Sequence, residues 1–284
     1  MSGPWVGRAL PLKEDVRLVA GRGRFIDDLG LAGMLHAAIL RSPHAHARIL
    51  SIDTRRAAAF PGVTAVLTGA DAARLSGPIR PLIPTTAVVP DYCLAVDRVR
   101  YVGEPVAAVA AVDRATAEDA LELIRIEYAP LPAVVDPEEA LKPGAPLLYP
   151  ELGTNIVWHD TLSYGDVDGA MARADGVLRE RFTIQRYAST PLETFGAMAA
   201  YDPGMDAFEF WTNDQRPGLT ISILAGSLGV PQSRIRLSCP DIGGAFGNKR
   251  RPAYLLICAL LARTAGRPVK WIEDRVENLT ALMH

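Results

Sequence analysis

A glycine-rich stretch between a strand pattern and a helix pattern is the feature that most constrains this chain. Residues 234–238 alternate polar and apolar side chains, which predicts a half-buried strand. Residues 241–249 follow, with the sequence DIGGAFGNK, and Pro252 then stands where the first turn of a helix begins. Apolar residues continue at helical spacing over residues 253–261, and Gly266 marks the end of that helix. The predicted order is therefore strand, glycine-rich loop, helix.

The composition of this loop favours a binding site. Glycines let a backbone approach a ligand closely, and bare N–H groups beside a helix N-terminus favour an anionic or oxo-bearing ligand. The alternative is a tight turn whose glycines only permit positive φ angles. Phe246 favours the binding site, because a simple turn needs no large aromatic residue. A phosphate-binding loop is a weaker alternative, since Lys249 follows the glycines but no Ser or Thr follows it to hold magnesium.

Composition excludes several other classes. The 284 residues are enough for two domains or one large one, and 49% hydrophobic with 22% charged residues is ordinary for a globular protein. A net charge of −2 gives no electrostatic reason to bind nucleic acid or an anionic membrane. The longest apolar run, residues 253–262, is about half a membrane span. Residues 1–10 carry no signal-peptide pattern, so we expect a cytoplasmic protein without a membrane span.

Metal ligation by side chains of this chain is not expected. His44 and His46 would lie on one face of an extended segment, but no third ligand is nearby. A hydrogen-bonded structural pair is the favoured interpretation. The three cysteines are far apart and form no C-x-x-C pair. We therefore assign no metal ligand.

The hydrophobic pattern divides the chain into two halves. In the first half, residues 106–112 form an apolar strand pattern, Asp113 can cap a helix, and residues 126–128 return as a strand. The prolines between 130 and 150 then mark a domain linker. Further patterns predict a helix and several strands, at residues 35–40, 49–53, 63–67, 169–174 (the helix), 177–184, 197–201 and 208–212.

Two polar residues of the second half stand at positions suited to a site. Gln215 follows the last of these strands and precedes a helix, which is where open α/β sheets place ligand-binding groups. Glu193, beside Pro191, could be a perturbed buried carboxylate. The favoured alternative is that Glu193 anchors its turn through hydrogen bonds to backbone amides.

Taken together, these motifs resemble the molybdenum-binding large subunits of the xanthine oxidase, aldehyde oxidase and carbon monoxide dehydrogenase family. The resemblance rests on their order and spacing along nearly the whole chain. The first group is GRGRFIDD (21–28), RSPHAHAR (41–48), GEPV (103–106) and EY (127–128). The second is PLET (191–194), QRP (215–217), GGAFGNK (243–249) and WIEDRVEN (271–278).

The resemblance implies an α+β fold with two named parts. An α/β hammerhead domain would cover residues 19–132, and the first, incomplete part of a molybdopterin-binding domain would cover residues 151–284. Residues 1–18 would be an extended lead-in, and residues 133–150 the proline-rich linker.

The resemblance also implies a site and a reaction. The residue that matches Gln215 offers its side-chain amide to an oxo ligand of molybdenum, and Phe246 lies beside the metal. The cofactor-binding set is Gln215, Gly243, Gly244, Ala245, Phe246 and Gly247, with Gln215 and Phe246 also catalytic. The reaction would be hydroxylation of an aldehyde or N-heterocycle with oxygen from water. The cofactor would be a molybdenum–pyranopterin, expected as molybdopterin cytosine dinucleotide, and electrons would leave through iron–sulfur and FAD subunits.

Two departures from the family pattern shape these expectations. The family's large subunits are longer, so the general base and the rest of the pterin site would belong to a C-terminal half outside this chain, without which we expect no turnover. A non-catalytic scaffold or a truncated fragment is the alternative. Arg250 stands where xanthine-oxidising members have a glutamate, which makes a purine substrate less expected. The motifs look nearest the carbon monoxide dehydrogenase-like branch.

Overall fold

The computed structural model describes residues 6–80 and 89–281 of the chain. Within them, eight α-helices accompany short 3₁₀ segments. The helices are α1 (Asp15–Val19), α2 (Arg55–Ala58), α3 (Gly69–Leu75), α4 (Arg114–Leu121), α5 (Val167–Ala172), α6 (Pro217–Leu228), α7 (Pro252–Ala265) and α8 (Arg275–Thr280). None of the helices in these two ranges is long and apolar enough to cross a membrane.

The same residues form ten strands in two sheets. The strands are β1 (Leu35–Arg41), β2 (Ala47–Asp53), β3 (Val63–Thr68), β4 (Arg98–Val99), β5 (Pro105–Ala111), β6 (Arg125–Pro130), β7 (Gly196–Asp202), β8 (Ala207–Thr212), β9 (Ile235–Ser238) and β10 (Val269–Ile272). The larger sheet has the order β3-β5-β1-β10-β7-β8-β9, and the smaller one has the order β4-β2-β6. The mixed helix and strand content confirms the predicted α+β class.

The larger sheet is continuous across the proline-rich segment. Strand β1 pairs in parallel with β10, with Leu35 opposite Val269, and this pairing joins strands from the two halves of the chain. Strand β5 lies between β1 and β3, and all seven of its residues are buried. A continuous apolar run suits a strand that is covered on both faces. The two halves therefore share one sheet.

Helix α7 covers the middle of this sheet. Every residue from Tyr254 to Ala262 is buried, as expected of a helix that is apolar on all sides. Gly266 ends it in the left-handed conformation, at φ +64°, which a residue without Cβ adopts freely. The predicted helix, its start at Pro252 and its end are confirmed.

Two predictions of local structure are wrong. The alternating residues Val177–Ile184 form no strand, and their side chains are exposed, because no strand among the described residues pairs with them. The lead-in, predicted to be extended, contains helix α1, whose backbone N–H groups bond within the segment (Leu18 N–H donates to the Glu14 carbonyl oxygen at 3.0 Å). Residues 1–5 of that lead-in lie outside the described residues.

Candidate functional site

The site is built at the carboxyl ends of two neighbouring strands. Strands β8 and β9 are parallel, with Phe208 opposite Ile235, so both end at the same edge of the sheet. The turn that contains Gln215 follows β8, and the glycine-rich loop follows β9. The two segments meet there, since the Gln215 N–H donates to the carbonyl oxygen of Lys249 at 2.8 Å. The predicted position of Gln215, between a strand and a helix, is confirmed.

Two buried side chains hold the turn between β8 and α6, and a third side chain of this turn is exposed. Asn213 is buried, accepts the Gly196 N–H at 3.0 Å and donates to the Thr194 carbonyl oxygen at 2.8 Å. Asp214 is also buried and accepts a hydrogen bond from the Thr220 hydroxyl at 3.1 Å. Burial raises the pKa of the Asp214 carboxyl above its ordinary value. The Gln215 side chain, by contrast, is exposed, so its amide is available to a ligand.

Positive φ angles make the glycine-rich loop compact. Gly244, Phe246 and Gly247 have φ values of +85°, +50° and +93°. For an aromatic residue this conformation costs about 1–3 kcal/mol, and such strain is concentrated at functional sites. Phe246 is nevertheless 74% exposed, so burial of its ring does not offset that cost. The loop holds an aromatic side chain outward in an unfavourable backbone conformation.

Four consecutive amides of this loop have no acceptor. Among the residues that the structure describes, none accepts a hydrogen bond from the N–H of Gly244, Ala245, Phe246 or Gly247. Gly244, Ala245 and Gly247 are half-buried, where backbone donors are normally paired. Successive N–H groups with alternating backbone conformations form concave sites for anions and electronegative atoms. The loop can therefore receive such a ligand.

Glu193 and Lys249 fix the two ends of the loop. The Gly243 N–H donates to Oε2 of Glu193 at 2.8 Å, and the Lys249 ammonium lies 2.7 Å from the same oxygen. The Ile26 N–H donates to Oε1 of this carboxylate at 3.4 Å. Lys249 is 1% exposed, and burial lowers the pKa of its ammonium group. Glu193 thus accepts hydrogen bonds from backbone amides, as the favoured interpretation predicted, but these amides belong to Gly243 and Ile26 and not to its own turn.

A second carboxylate holds the start of the loop against the N-terminal segment. Asp241 accepts two hydrogen bonds from the Arg17 guanidinium, at 2.6 and 2.7 Å, and one from the Arg24 N–H at 2.7 Å. The bidentate pair with Arg17 holds the pKa of Asp241 well below its usual range. Neither this contact nor the Lys249 ion pair was predicted, because both join residues far apart in sequence.

The histidines take structural positions. Nδ1 of His46 lies 2.7 Å from the Pro132 carbonyl oxygen, and the ring of His44 packs edge-on against Tyr128 at 4.9 Å. Within residues 6–80 and 89–281, no three His, Cys, Asp or Glu side chains come together as a possible metal site. The assignment of no metal ligand stays a prediction.

The hydrogen-bond donors of the loop match the acceptor atoms of a molybdenum–pyranopterin. Such a group presents oxo and phosphate oxygens, which accept hydrogen bonds, and the loop offers four free N–H donors beside an exposed amide. A Cβ at Gly247 would meet nothing within 4 Å, so this side of the loop is open. A Cβ at Gly243 would lie 2.6 Å from that of Glu193, so the opposite side is closed by protein.

Comparisons with protein families agree with this arrangement. Residues 20–132 match the family described as "Aldehyde oxidase and xanthine dehydrogenase, a/b hammerhead domain". Residues 148–284 match the family described as "Molybdopterin cofactor-binding domain", which includes the loop and Gln215.

Individual relatives and solved structures give the same result. The gamma subunit of the 6-hydroxypseudooxynicotine dehydrogenase complex of Paenarthrobacter nicotinovorans is 40% identical, over 99% of this chain and 36% of its own length. The carbon monoxide dehydrogenase large chain of Afipia carboxidovorans is 39% identical, over 94% of this chain and 34% of its own. The crystal structure of quinoline 2-oxidoreductase from Pseudomonas putida 86 superposes with a TM-score of 0.87 and 42% identity, over 96% of this chain and 35% of that one. The chain therefore spans about a third of the length of these relatives.

Proposed function

Because the chain belongs to the aldehyde oxidase and xanthine dehydrogenase family of molybdenum oxidoreductase subunits, we propose that it forms part of the molybdopterin site of a molybdenum hydroxylase. The observation that carries this proposal is the row of unpaired amides from Gly244 to Gly247, next to the exposed side chain of Gln215. Gly243 belongs to the same set, because its close contact with Glu193 fixes the course of the loop backbone.

The proposed role of this chain's residues is to bind the cofactor and to orient it. When bound, the molybdenum–pyranopterin supplies the oxidising centre at which a substrate is hydroxylated with oxygen from water. The loop amides hold fixed dipoles toward electronegative atoms, which costs no reorganisation during reaction. Gln215 donates through a neutral amide, so its hydrogen bond does not depend on pH. Phe246 presents an apolar ring that excludes water beside these donors.

The proposed substrate is an aldehyde or an N-heterocycle. Two relatives bear names of N-heterocycle enzymes, nicotine 6-hydroxylase and quinoline 2-oxidoreductase, at 38% and 42% identity. The family resemblance places Arg250 where xanthine-oxidising members have a glutamate, and this favours a substrate other than a purine. The proposed cofactor form is molybdopterin cytosine dinucleotide, and the proposed compartment is the cytoplasm.

The proposal includes partners and residues beyond these 284. Since the relatives are about three times as long, turnover would need further residues, which supply the general base and the rest of the pterin site. Iron–sulfur and FAD subunits would carry the electrons away. The division into a hammerhead domain (19–132), a linker (133–150) and a molybdopterin-binding domain (151–284) is part of this proposal.

Isotope labelling tests the reaction class. The complex that contains this chain is purified from its native host and assayed by dye reduction with a panel of aldehydes and N-heterocycles in water labelled with heavy oxygen. The proposal predicts a hydroxylated product whose new oxygen comes from water. Incorporation of oxygen from O₂ would contradict it. No turnover from a complex that also lacks molybdenum would favour the non-catalytic scaffold.

A further inference from the structure

A cavity of about 640 Å³ opens beside the glycine-rich loop. Arg250 and Arg251, which directly follow the loop, form one wall together with Pro252 and Ala253 at the start of α7. A separate part of the lining comes from Arg100, Tyr101, Glu104, Leu148 and Tyr149. The cavity is therefore continuous with the chain segment that the proposed function places at the cofactor.

Positive charge dominates the lining of this cavity. Five arginines line it, namely Arg80, Arg100, Arg186, Arg250 and Arg251, against two carboxyl groups, Asp91 and Glu104. Glu104 is 8% exposed, and burial raises its pKa to about 7, so this carboxyl is not fully charged at neutral pH. The cavity carries a net positive charge.

Three of these guanidinium groups donate to backbone carbonyls, which do not neutralise them. Arg100 donates to the Leu148 oxygen at 3.2 Å, and Arg250 donates to the Gly247 oxygen at 3.0 Å. Arg251 donates to the carbonyl oxygen of Ala281. Over the described ranges 6–80 and 89–281, none of these three forms an ion pair with a carboxylate. The carbonyls thus position these charges, and Asp91 offsets only part of the charge of Arg100 and Arg251.

The cavity also has apolar and aromatic surfaces. Ile79, Leu148, Ile223 and Ala253 contribute apolar side chains, and the ring of Tyr149 lies 4.1 Å from the Arg100 guanidinium carbon. This stacking fixes the orientation of the guanidinium group. Arginine forks bind carboxylate and phosphate oxygens in pairs, and apolar walls bind the body of an organic molecule. The lining is suited to an organic molecule with an anionic group.

We propose that this cavity binds an organic oxyanion, a carboxylate or a phosphate ester, and that the substrate of the enzyme carries this group. The binding of the oxyanion stands on the cavity alone, whereas its role as substrate rests on the proposed function. Arg250 and Arg100, which reach the cavity from two separate segments of the chain, hold the anion. The apolar side chains between them bind the rest of the molecule.

Calorimetric titration of the purified native complex tests this inference with three probes of similar size. Benzoate and phenyl phosphate carry the two candidate anions, and benzamide replaces the charge by a neutral amide. We expect at least one anion to bind more than tenfold tighter than benzamide, with an advantage that falls at high salt. Equal affinities within about twofold, or no binding of either anion at millimolar concentration, would overturn the inference.

Matched arginine variants locate the binding. Arg250→Met and Arg100→Met each lower the affinity for the anion about tenfold or more, and Arg250→Lys recovers part of the loss. Arg267→Met is the control, since Arg267 also donates to a backbone carbonyl, that of Gly33 at 2.7 Å, but lies outside the cavity. An Arg267→Met effect as large as that of Arg250→Met would overturn the assignment.

Molybdenum content of the same samples separates the two proposals. Anion binding in a complex without molybdenum would sink the proposed function and leave the anion site standing. Molybdenum in a complex that does not distinguish benzoate or phenyl phosphate from benzamide would overturn the anion site and leave the proposed function standing.

Discussion

The ammonium nitrogen of Lys249 lies 2.7 Å from Oε2 of Glu193, and this same oxygen accepts the Gly243 N–H at 2.8 Å. One carboxylate oxygen therefore holds both ends of the loop that presents the free amides. Lys249 is more deeply buried than Glu193, whose side chain is 16% exposed. Because of this difference, we expect loss of the two side chains to lower the free energy of unfolding by different amounts.

Removal of the carboxylate is expected to cost more stability than removal of the ammonium group. Glu193→Gln leaves the buried charge of Lys249 without a counter-charge, which costs about 3–5 kcal/mol. Lys249→Met removes that charge, and Glu193 keeps its bonds from Gly243 and Ile26. Denaturant unfolding of both single variants and of the double variant measures this difference. A Lys249→Met loss equal to or larger than the Glu193→Gln loss would contradict the account.

The two glycines Gly243 and Gly226 are expected to respond oppositely to alanine. A Cβ at Gly243 would lie 2.6 Å from the Cβ of Glu193, so Gly243→Ala displaces the loop and lowers cofactor content. A Cβ at Gly226, within α6, meets nothing within 4 Å. Gly226→Ala therefore raises stability by up to about 1 kcal/mol and leaves cofactor content unchanged. Elemental analysis and unfolding of both variants check the pair, and equal cofactor content would count against the loop.

Gln215 and Phe246 are expected to matter for turnover and not for folding. The Gln215 side chain is exposed, and within residues 6–80 and 89–281 its backbone N–H alone forms a hydrogen bond, to the Lys249 oxygen. Gln215→Ala therefore changes the free energy of unfolding by less than about 0.5 kcal/mol while it lowers kcat. Phe246→Gly relieves the positive φ of +50°, so it is tolerated in the same way. A large loss of stability in either variant, with normal kcat, would assign these residues a structural role.

Glu104 is expected to make stability fall as pH rises. Its pKa is raised from 4.5 to about 7 by burial, so between these values the unfolded chain loses its proton before the folded chain does. This stability is fully present below pH 4.5 and is lost as the pH rises through about 7, by about 3 kcal/mol in all. Glu104→Gln keeps an acceptor for the Arg100 N–H and removes the charge.

The measurement for Glu104 is thermal unfolding at two pH values. Glu104→Gln should raise Tm clearly at about pH 8 and little at about pH 5. A larger rise in Tm at about pH 5 than at about pH 8 would contradict the predicted direction of the pH dependence. Glu127→Gln is the control, because the Glu127 side chain is exposed and accepts a hydrogen bond from the exposed Ser51 hydroxyl, at 3.2 Å.

Local patterns predicted the parts of the site that are continuous in sequence. The strand before the loop, the helix after it and the strand end before Gln215 each depend on periodicity and on punctuation by Gly and Pro. Parallel pairing of β8 and β9 then brings Gln215 to the loop, as the general rule for open sheets predicts. This much follows from sequence because each element is determined by its own neighbours.

The rest depends on contacts between distant segments. Alternation in Val177–Ile184 predicted a strand, but a strand also needs a hydrogen-bonded neighbour, and this segment pairs with none of the strands in the described residues. The pairing of β1 with β10 and the ion pair of Glu193 with Lys249 carry no local signal. The arginines of the cavity come from several separate segments, so only the fold collects them.

The most direct test of the proposed cofactor site is the molybdenum and pterin content of the complex. The complex is purified from its native host by means of an affinity tag on this chain. We expect near-stoichiometric molybdenum with pterin in the native complex and in Gly226→Ala, and strongly reduced amounts of both in Gly243→Ala. Absence of molybdenum and pterin from the native complex, with this chain folded, would contradict the claim that the loop from Gly243 to Gly247 holds the cofactor.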